Sequence, residues 1–172
     1  MSRHIDEAAD RIDARMAQWA CELPDVDTTG MAILGRMRWI TLSARPVIER
    51  IFEEENLDTG EFDVLATLLR SGAPYRLRPT ELHRSLMISS GGLTDRLRRL
   101  TQAGLVSRPV AQEDGRSLLV ELTREGRAKA ERVFRKDMEV EMRMLSMLDA
   151  EERNRLANLL RKLSHSIAIS AF

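Results

Sequence analysis

Residues 89–126 run SSGGLTDRLRRLTQAGLVSRPVAQEDGRSLLVELTREG, and two periodicities meet inside them. Up to Gly104 the apolar residues Leu93, Leu97 and Leu100 recur at helical spacing, with Ser89 suited to cap the start and Gly104 to close the end. Beyond Gly104 the period becomes two. Val106, Arg108 and Val110 then share one face of a strand, and Leu118, Val120 and Leu122 one face of the next, around the turn AQEDG. A helix that leads directly into a hairpin is expected.

The helix has a definite outer face. At about 100° per residue, Gly91, Asp95, Arg98 and Gln102 lie opposite the leucines, with Thr94 and Arg99 on the flanks. Small residues followed by donors and arginines let a backbone approach another backbone, as a helix entering a major groove must. Arg96 falls much closer to the leucine stripe than Arg98 does, so it is expected to look back into the protein. At the tip of the hairpin Gly115 allows the turn and Asp114 can orient Arg116, where a lone arginine suits a narrow minor groove of enhanced negative potential. Ser89, Ser90, Thr94, Arg98, Arg99, Asp114 and Arg116 are the expected DNA contacts.

Further helices flank this stretch. Ile5, Ala9, Ile12, Met16, Trp19 and Leu23 form a first stripe that ends at Pro24, and Leu34, Met37, Thr41, Ala44, Ile48 and Ile51 a second, interrupted by Pro46. DTGEFDVLATLLRSG predicts a third helix capped by Asp58 or Thr59 and stopped before Gly72; RPTELHRSLMI predicts a fourth with Pro79 in its first turn. After the hairpin, Ala130, Val133, Phe134, Met138 and Leu145 form one stripe, and Leu156, Leu159, Leu160, Leu163 and Ile167 another. The Met138, Met142, Met144 and Met147 cluster is expected as core filler. Together these elements predict a mainly α protein with a small β-hairpin wing, a winged helix-turn-helix between N- and C-terminal dimerisation helices. The expected division is 1–24 for an extra N-terminal helix, 25–57 for a dimerisation helix, 58–123 for the winged helix-turn-helix and 124–172 for C-terminal dimerisation helices.

The distribution of charge supports a nucleic-acid footprint. The whole chain is neutral, yet residues 70–116 hold 9 basic and 4 acidic residues, and every one of the basic residues is arginine. No run of eighteen apolar residues and no secretory signal occurs, and the one cysteine, Cys21, has no internal partner; a cytoplasmic protein with no membrane association is expected. His4, His83 and His165 lack metal-ligand spacing, and no phosphate loop, dinucleotide fingerprint or nucleophile elbow is present. Neither an enzyme, a metal nor a cofactor is expected.

Asp114-Gly115-Arg116, followed by Leu122-Thr123 and Gly126, resembles the wing signature of the MarR transcriptional regulators, and the resemblance runs from about Ile33 to Ile167. It narrows to the urate-responsive branch, whose extra N-terminal helix, tryptophan, aspartate and two arginines are matched by Trp19, Asp63, Arg96 and Arg108. Asp95 departs from the asparagine usual in that branch, and Arg78 from the usual capping hydroxyl. The resemblance implies a homodimeric repressor that binds a pseudo-palindromic double-stranded operator and is released from it by a small anionic effector such as urate. An indole and two guanidiniums suit a planar anion, and a carboxylate near it would be repelled and move. A redox-sensing repressor of the same family using Cys21 is the alternative, although Glu22 beside that thiol opposes its activation. A protein-interaction module on the same fold, with no DNA affinity, is a third reading.

Overall fold

The computed structural model describes residues 9–86, 92–109 and 119–170. Two compact units meet between Val47 and Ile48. In the first, Asp10 caps helix α1 (Arg11–Glu22): its carboxylate accepts from the backbone N–H groups of Ile12 and Asp13, while the Asp13 carboxylate accepts from the Asp10 N–H. A π-helical turn, Met31–Gly35, then runs into helix α2 (Arg36–Glu53), so the stripe expected from Leu34 starts with wider winding than an α-helix. Arg36 ties the two helices, with its Nε 2.8 Å from Asp10 Oδ2 and a terminal nitrogen 2.6 Å from Asp13 Oδ1. The Asp13 N–H and this guanidinium hold the Asp10 carboxyl down at about 2. Pro46 lies inside α2, just ahead of the division between units.

The second unit is organised around helix α3 (Thr59–Arg70). Asp58 supplies its cap, accepting from the Glu61 N–H at 2.7 Å, and the Glu61 carboxylate accepts from the Asp58 N–H at 2.9 Å. Val64, Leu65 and Leu68 are completely buried, and Phe62 stacks on Phe52 with ring centroids 4.4 Å apart. Packed around them are Leu82 of helix α4 (Pro79–Ser85), Leu97 and Leu100 of helix α5 (Leu93–Gln102), and Ala130 and Val133 of helix α6 (Arg124–Met144). Pro79 opens α4 as expected.

A three-stranded antiparallel sheet closes one side of this core. Strand β2 (Val106–Ser107) pairs with β3 (Val120–Leu122), Val106 opposite Leu122, as the hairpin pattern predicts. On the other edge of β3 lies β1 (Arg76–Leu77), with Leu77 opposite Val120. Two residues are too few to show a period, which is why this strand escapes the sequence.

Three expectations are corrected. Helix α5 starts at Leu93, with Gly92 rather than Ser89 at its N-cap position; Gly92 is left-handed (φ 78°), a conformation glycine adopts without steric cost. The inward stripe of α6 runs through Ala130, Val133, Asp137 and Val140, leaving Phe134 and Leu145 exposed. Met142, Met144 and Met147 are exposed as well, so they do not fill the core of a single chain. Helix α7 (Ala150–Ser170) likewise keeps Leu156, Leu159, Leu160 and Ile167 exposed.

Helix α6 is fixed at both ends of its buried section. Lys129 donates to the Glu55 carbonyl at 2.9 Å, Arg132 pairs with Glu55 and Lys136 with Glu54. At its start Thr123 Oγ1 accepts from the Gly126 N–H at 2.9 Å and donates to the Gly104 carbonyl at 2.7 Å. The Thr123 N–H reaches the Leu105 carbonyl at 3.1 Å. A Cβ on Gly126 would lie 1.8 Å from that same Leu105 oxygen. The Leu-Thr-x-x-Gly part of the wing signature therefore joins the end of α5 to the start of α6: threonine caps the helix and ties the turn, and only glycine lets the two backbones come so close. The expected boundary at 123/124 falls inside this one compact unit.

Candidate nucleic-acid interface

Helix α5 separates its polar residues by face. Leu97 and Leu100 are buried, and Thr94, Asp95, Arg98 and Gln102 are exposed on the opposite side. Arg98 is held along this face: its Nε and one terminal nitrogen donate to Asp95 Oδ1 at 3.1 and 2.6 Å, and its other terminal nitrogen donates to Gln102 Oε1 at 3.0 Å. Hydrogen bonds from Arg98, and the charges of Arg98 and Arg99, hold the Asp95 carboxyl below the usual carboxylate range.

Arg99, expected on the flank, is half-buried among carboxylates. Its Nε is 2.7 Å from Glu61 Oε1 and one terminal nitrogen is 2.7 Å from Asp58 Oδ2, while the other donates to Asp95 Oδ2. The pair that caps α3 thus also anchors α5. Sequence reasoning offered Asp58 or Thr59 as the cap and missed the tie of Asp58 to Arg99, a contact across 41 residues with no local signal.

Arg96 points the other way. A Cβ on Gly60 would lie 2.2 Å from Arg96 Nε and 2.4 Å from its guanidinium carbon, so the side chain lies directly over the first turn of α3. Asp63 is one turn further along α3 and is itself buried. Neither Asp63 nor Arg96 is without a partner. Arg108 follows β2, with its Nε buried and unbonded. Trp19 belongs to the other unit, where it lines a cleft of about 770 Å³ with Arg15, Arg38, Trp39 and Leu42. Ser89, Ser90, Asp114 and Arg116 lie outside the described residues.

A second polar surface adjoins α5. His83 and Arg84 of α4, with Thr80, face Gly92, Leu93 and Thr94 across a cleft of about 520 Å³. Thr80 and Arg84 were not singled out in the sequence, and His83 was weighed only as a metal ligand; the concentration of arginine over residues 70–116 is the signal that included them.

Helix α4, a connection, helix α5 and the antiparallel β2–β3 pair make a winged helix-turn-helix, the architecture of a DNA-binding regulator rather than an enzyme. Comparison with known proteins agrees. A profile described as MarR family matches residues 55–117. The chain is 39% identical over 143 residues to the HTH-type transcriptional regulator PecS of Dickeya dadantii, covering 83% of this chain and 86% of that one. It is 32% identical over 107 residues to the HTH-type transcriptional repressor YetL of Bacillus subtilis, covering 62% and 64% respectively. Among solved structures, wild-type apo MarR from E. coli superposes with a TM-score of 0.62 at 28% identity, covering 76% of this chain and 96% of that one. The chain belongs to the MarR family of winged-helix transcriptional regulators. Among the described residues, no helix is long and apolar enough to cross a membrane.

Proposed function

We propose that this regulator is a homodimeric repressor that leaves its operator when a small anionic metabolite, urate or a related compound, binds. One observation carries the reading: Arg96 and Arg98 stand two residues apart on α5, one seated over the first turn of α3 beside buried Asp63 and the other on the exposed face. A ligand that draws on Arg96 acts on the same rigid helix that presents Arg98 and Thr94 to DNA. Asp63 supplies the repulsion that makes such binding move the helix, and the buried, unbonded Nε of Arg108 is a donor in want of an acceptor. Trp19, on the cleft of its own unit, is assigned as an aromatic contact for the same class of ligand. Ser89, Ser90, Asp114 and Arg116 keep their assignment as DNA contacts. Arg99, occupied by three carboxylates, serves to position α5.

Exposed apolar residues support the dimer. Ile40 and Leu42 in the first unit, and Leu159 and Ile167 on α7 in the second, remain exposed in a single chain. The repressor sense follows YetL, named as one.

The test is a gel shift on operator DNA with urate, related purines and small carboxylic acids. Arg98→Ala should lose DNA affinity and keep ligand binding. Arg96→Ala should lose ligand binding first, and Asp63→Asn should bind both while no longer releasing DNA. An Arg96→Ala protein that binds the anion as the parent does removes the effector site. Release by peroxide that disappears in Cys21→Ser, with no metabolite response in the parent, replaces it with the thiol reading.

A further inference from the structure

The exposed face of α5 carries an electrostatic contradiction. Arg98 and Arg99 are its cations, but Asp58, Glu61 and Asp95 are all bonded to them, so the network as a whole holds one negative charge in excess. A helix built for phosphate attraction would leave its arginines free. Asp95 is the residue responsible on the outer side, since one of its oxygens takes two donors of Arg98 and the other takes a donor of Arg99.

Counting donors shows what remains. Of the five N–H bonds of the Arg98 guanidinium, two point to Asp95 and one to Gln102, which leaves two. They are one N–H on each terminal nitrogen, a pair of donors of the kind a guanine edge takes at O6 and N7. The same fork suits a phosphate, but Asp95 and Gln102 restrain Arg98 from both sides, and the excess negative charge around it opposes a phosphate more than a neutral base edge. A carboxylate at this position also repels phosphate and accepts only from amino groups such as cytosine N4.

From this geometry we infer that Asp95 is a specificity-determining residue: it withholds Arg98 from phosphate and holds it in the orientation that reads a guanine in the major groove. The inference rests on the assignment of α5 as the DNA-reading helix. It predicts a protein of weak affinity for arbitrary DNA and high discrimination, because specificity is a difference of affinities and the carboxylate lowers the wrong one.

The experiment selects duplexes from a random pool with the full-length parent, then titrates parent, Asp95→Asn, Arg98→Ala and the double variant on the selected duplex and on a random duplex of equal length, over a range of salt concentrations. Asp95→Asn should bind the random duplex about tenfold more tightly, with a salt slope steeper by about one phosphate-equivalent, and should relax selection at one G·C pair in each half-site. In the Arg98→Ala background the same substitution should change the ratio of specific to random affinity by less than about twofold, since the residue it restrains is gone. Asp95→Ser serves if the asparagine protein folds poorly, and thermal melting of each variant reports a merely structural role. A parent that selects sequences while Asp95→Asn keeps its affinity ratio and salt slope overturns the inference alone. A parent that selects no sequence at all overturns the DNA-reading assignment of α5 and the inference with it.

Discussion

Replacing Gly126 by alanine tests the junction between α5 and α6. The added Cβ would sit 1.8 Å from the Leu105 carbonyl oxygen and 2.8 Å from its carbon, both backbone atoms with no rotamer to change. An ordinary contact of about 3.4 Å leaves a shortfall of roughly 1.6 Å, so the start of α6 must withdraw from the turn after α5. Withdrawal breaks the Thr123 N–H bond to Leu105, at 3.1 Å, and strains the Thr123 hydroxyl between Gly104 and Gly126. Loss of a helix cap costs about 1 kcal/mol, and each further hydrogen bond about 1 kcal/mol. The helical preference of alanine over glycine returns less than about 1 kcal/mol in a first turn. The net expectation is a destabilisation of about 2–3 kcal/mol, a large part of the 5–15 kcal/mol typical of a domain. Urea unfolding of the full-length protein, followed by far-ultraviolet circular dichroism, measures it. Thr123→Ala, which removes the cap without the clash, should lose about 1–2 kcal/mol. A Gly126→Ala protein within about 0.5 kcal/mol of the parent would show that the backbones part without loss, and the account of the signature glycine would be wrong.

Two other perturbations follow from the same core. Asp137 is buried on the inward face of α6 with one carboxylate oxygen unbonded; burial, and then Glu141, raise its pKa to about 6. The folded chain therefore holds this proton more tightly than the unfolded chain, so the charge lowers stability above pH 6, and that loss is recovered as pH falls from about 6 towards 4. Asp137→Asn should accordingly be more stable than the parent by about 1–2 kcal/mol at pH 8, with the difference vanishing near pH 4; denaturant titrations across that range check it, and a pH-independent difference would refute the assignment. Gly60→Ala should push the Arg96 guanidinium off α3 while altering stability by less than about 1 kcal/mol, because a flexible side chain yields where a backbone cannot. Its gel shift should lose the effector response and keep DNA affinity; a normal response would mean that the seat of Arg96 on α3 is not used.

How much of this was legible beforehand depended on the range of the interaction. Helix α5, the β2–β3 pairing and the inward turn of Arg96 follow from residues within one or two turns of each other, where periodicity is informative. The cap of α3 did too, as a choice between Asp58 and Thr59 that the structure resolves to Asp58. What could not be read was set by packing between distant segments: Arg99 was placed on the outer flank because helical phase alone cannot reveal Glu61 waiting 38 residues earlier. The phase of α6 was misjudged for a related reason. Phe134 and Met138 looked like the natural core residues, and a buried aspartate at position 137 runs against every hydrophobic pattern. The methionines were expected to fill the core and lie exposed instead, and the leucines of α7 form the expected stripe, but a stripe does not say whether its own chain or another will cover it.

Helix α6 has 21 residues, which at about 1.5 Å each make a rod of roughly 31 Å. Its first turn is wedged beneath Leu105, between the end of α5 and the start of β2, and its last turns carry the uncovered Met142, Met144 and Leu145. Such a rod is a lever held at its start by the close approach to Leu105. A swing of about 5° over its full length displaces the far end by close to 3 Å, so a small rotation at the α5–α6 junction becomes a large displacement at those methionines. The glycine that lets the backbones touch is then a bearing between the end of α5 and the start of that rod.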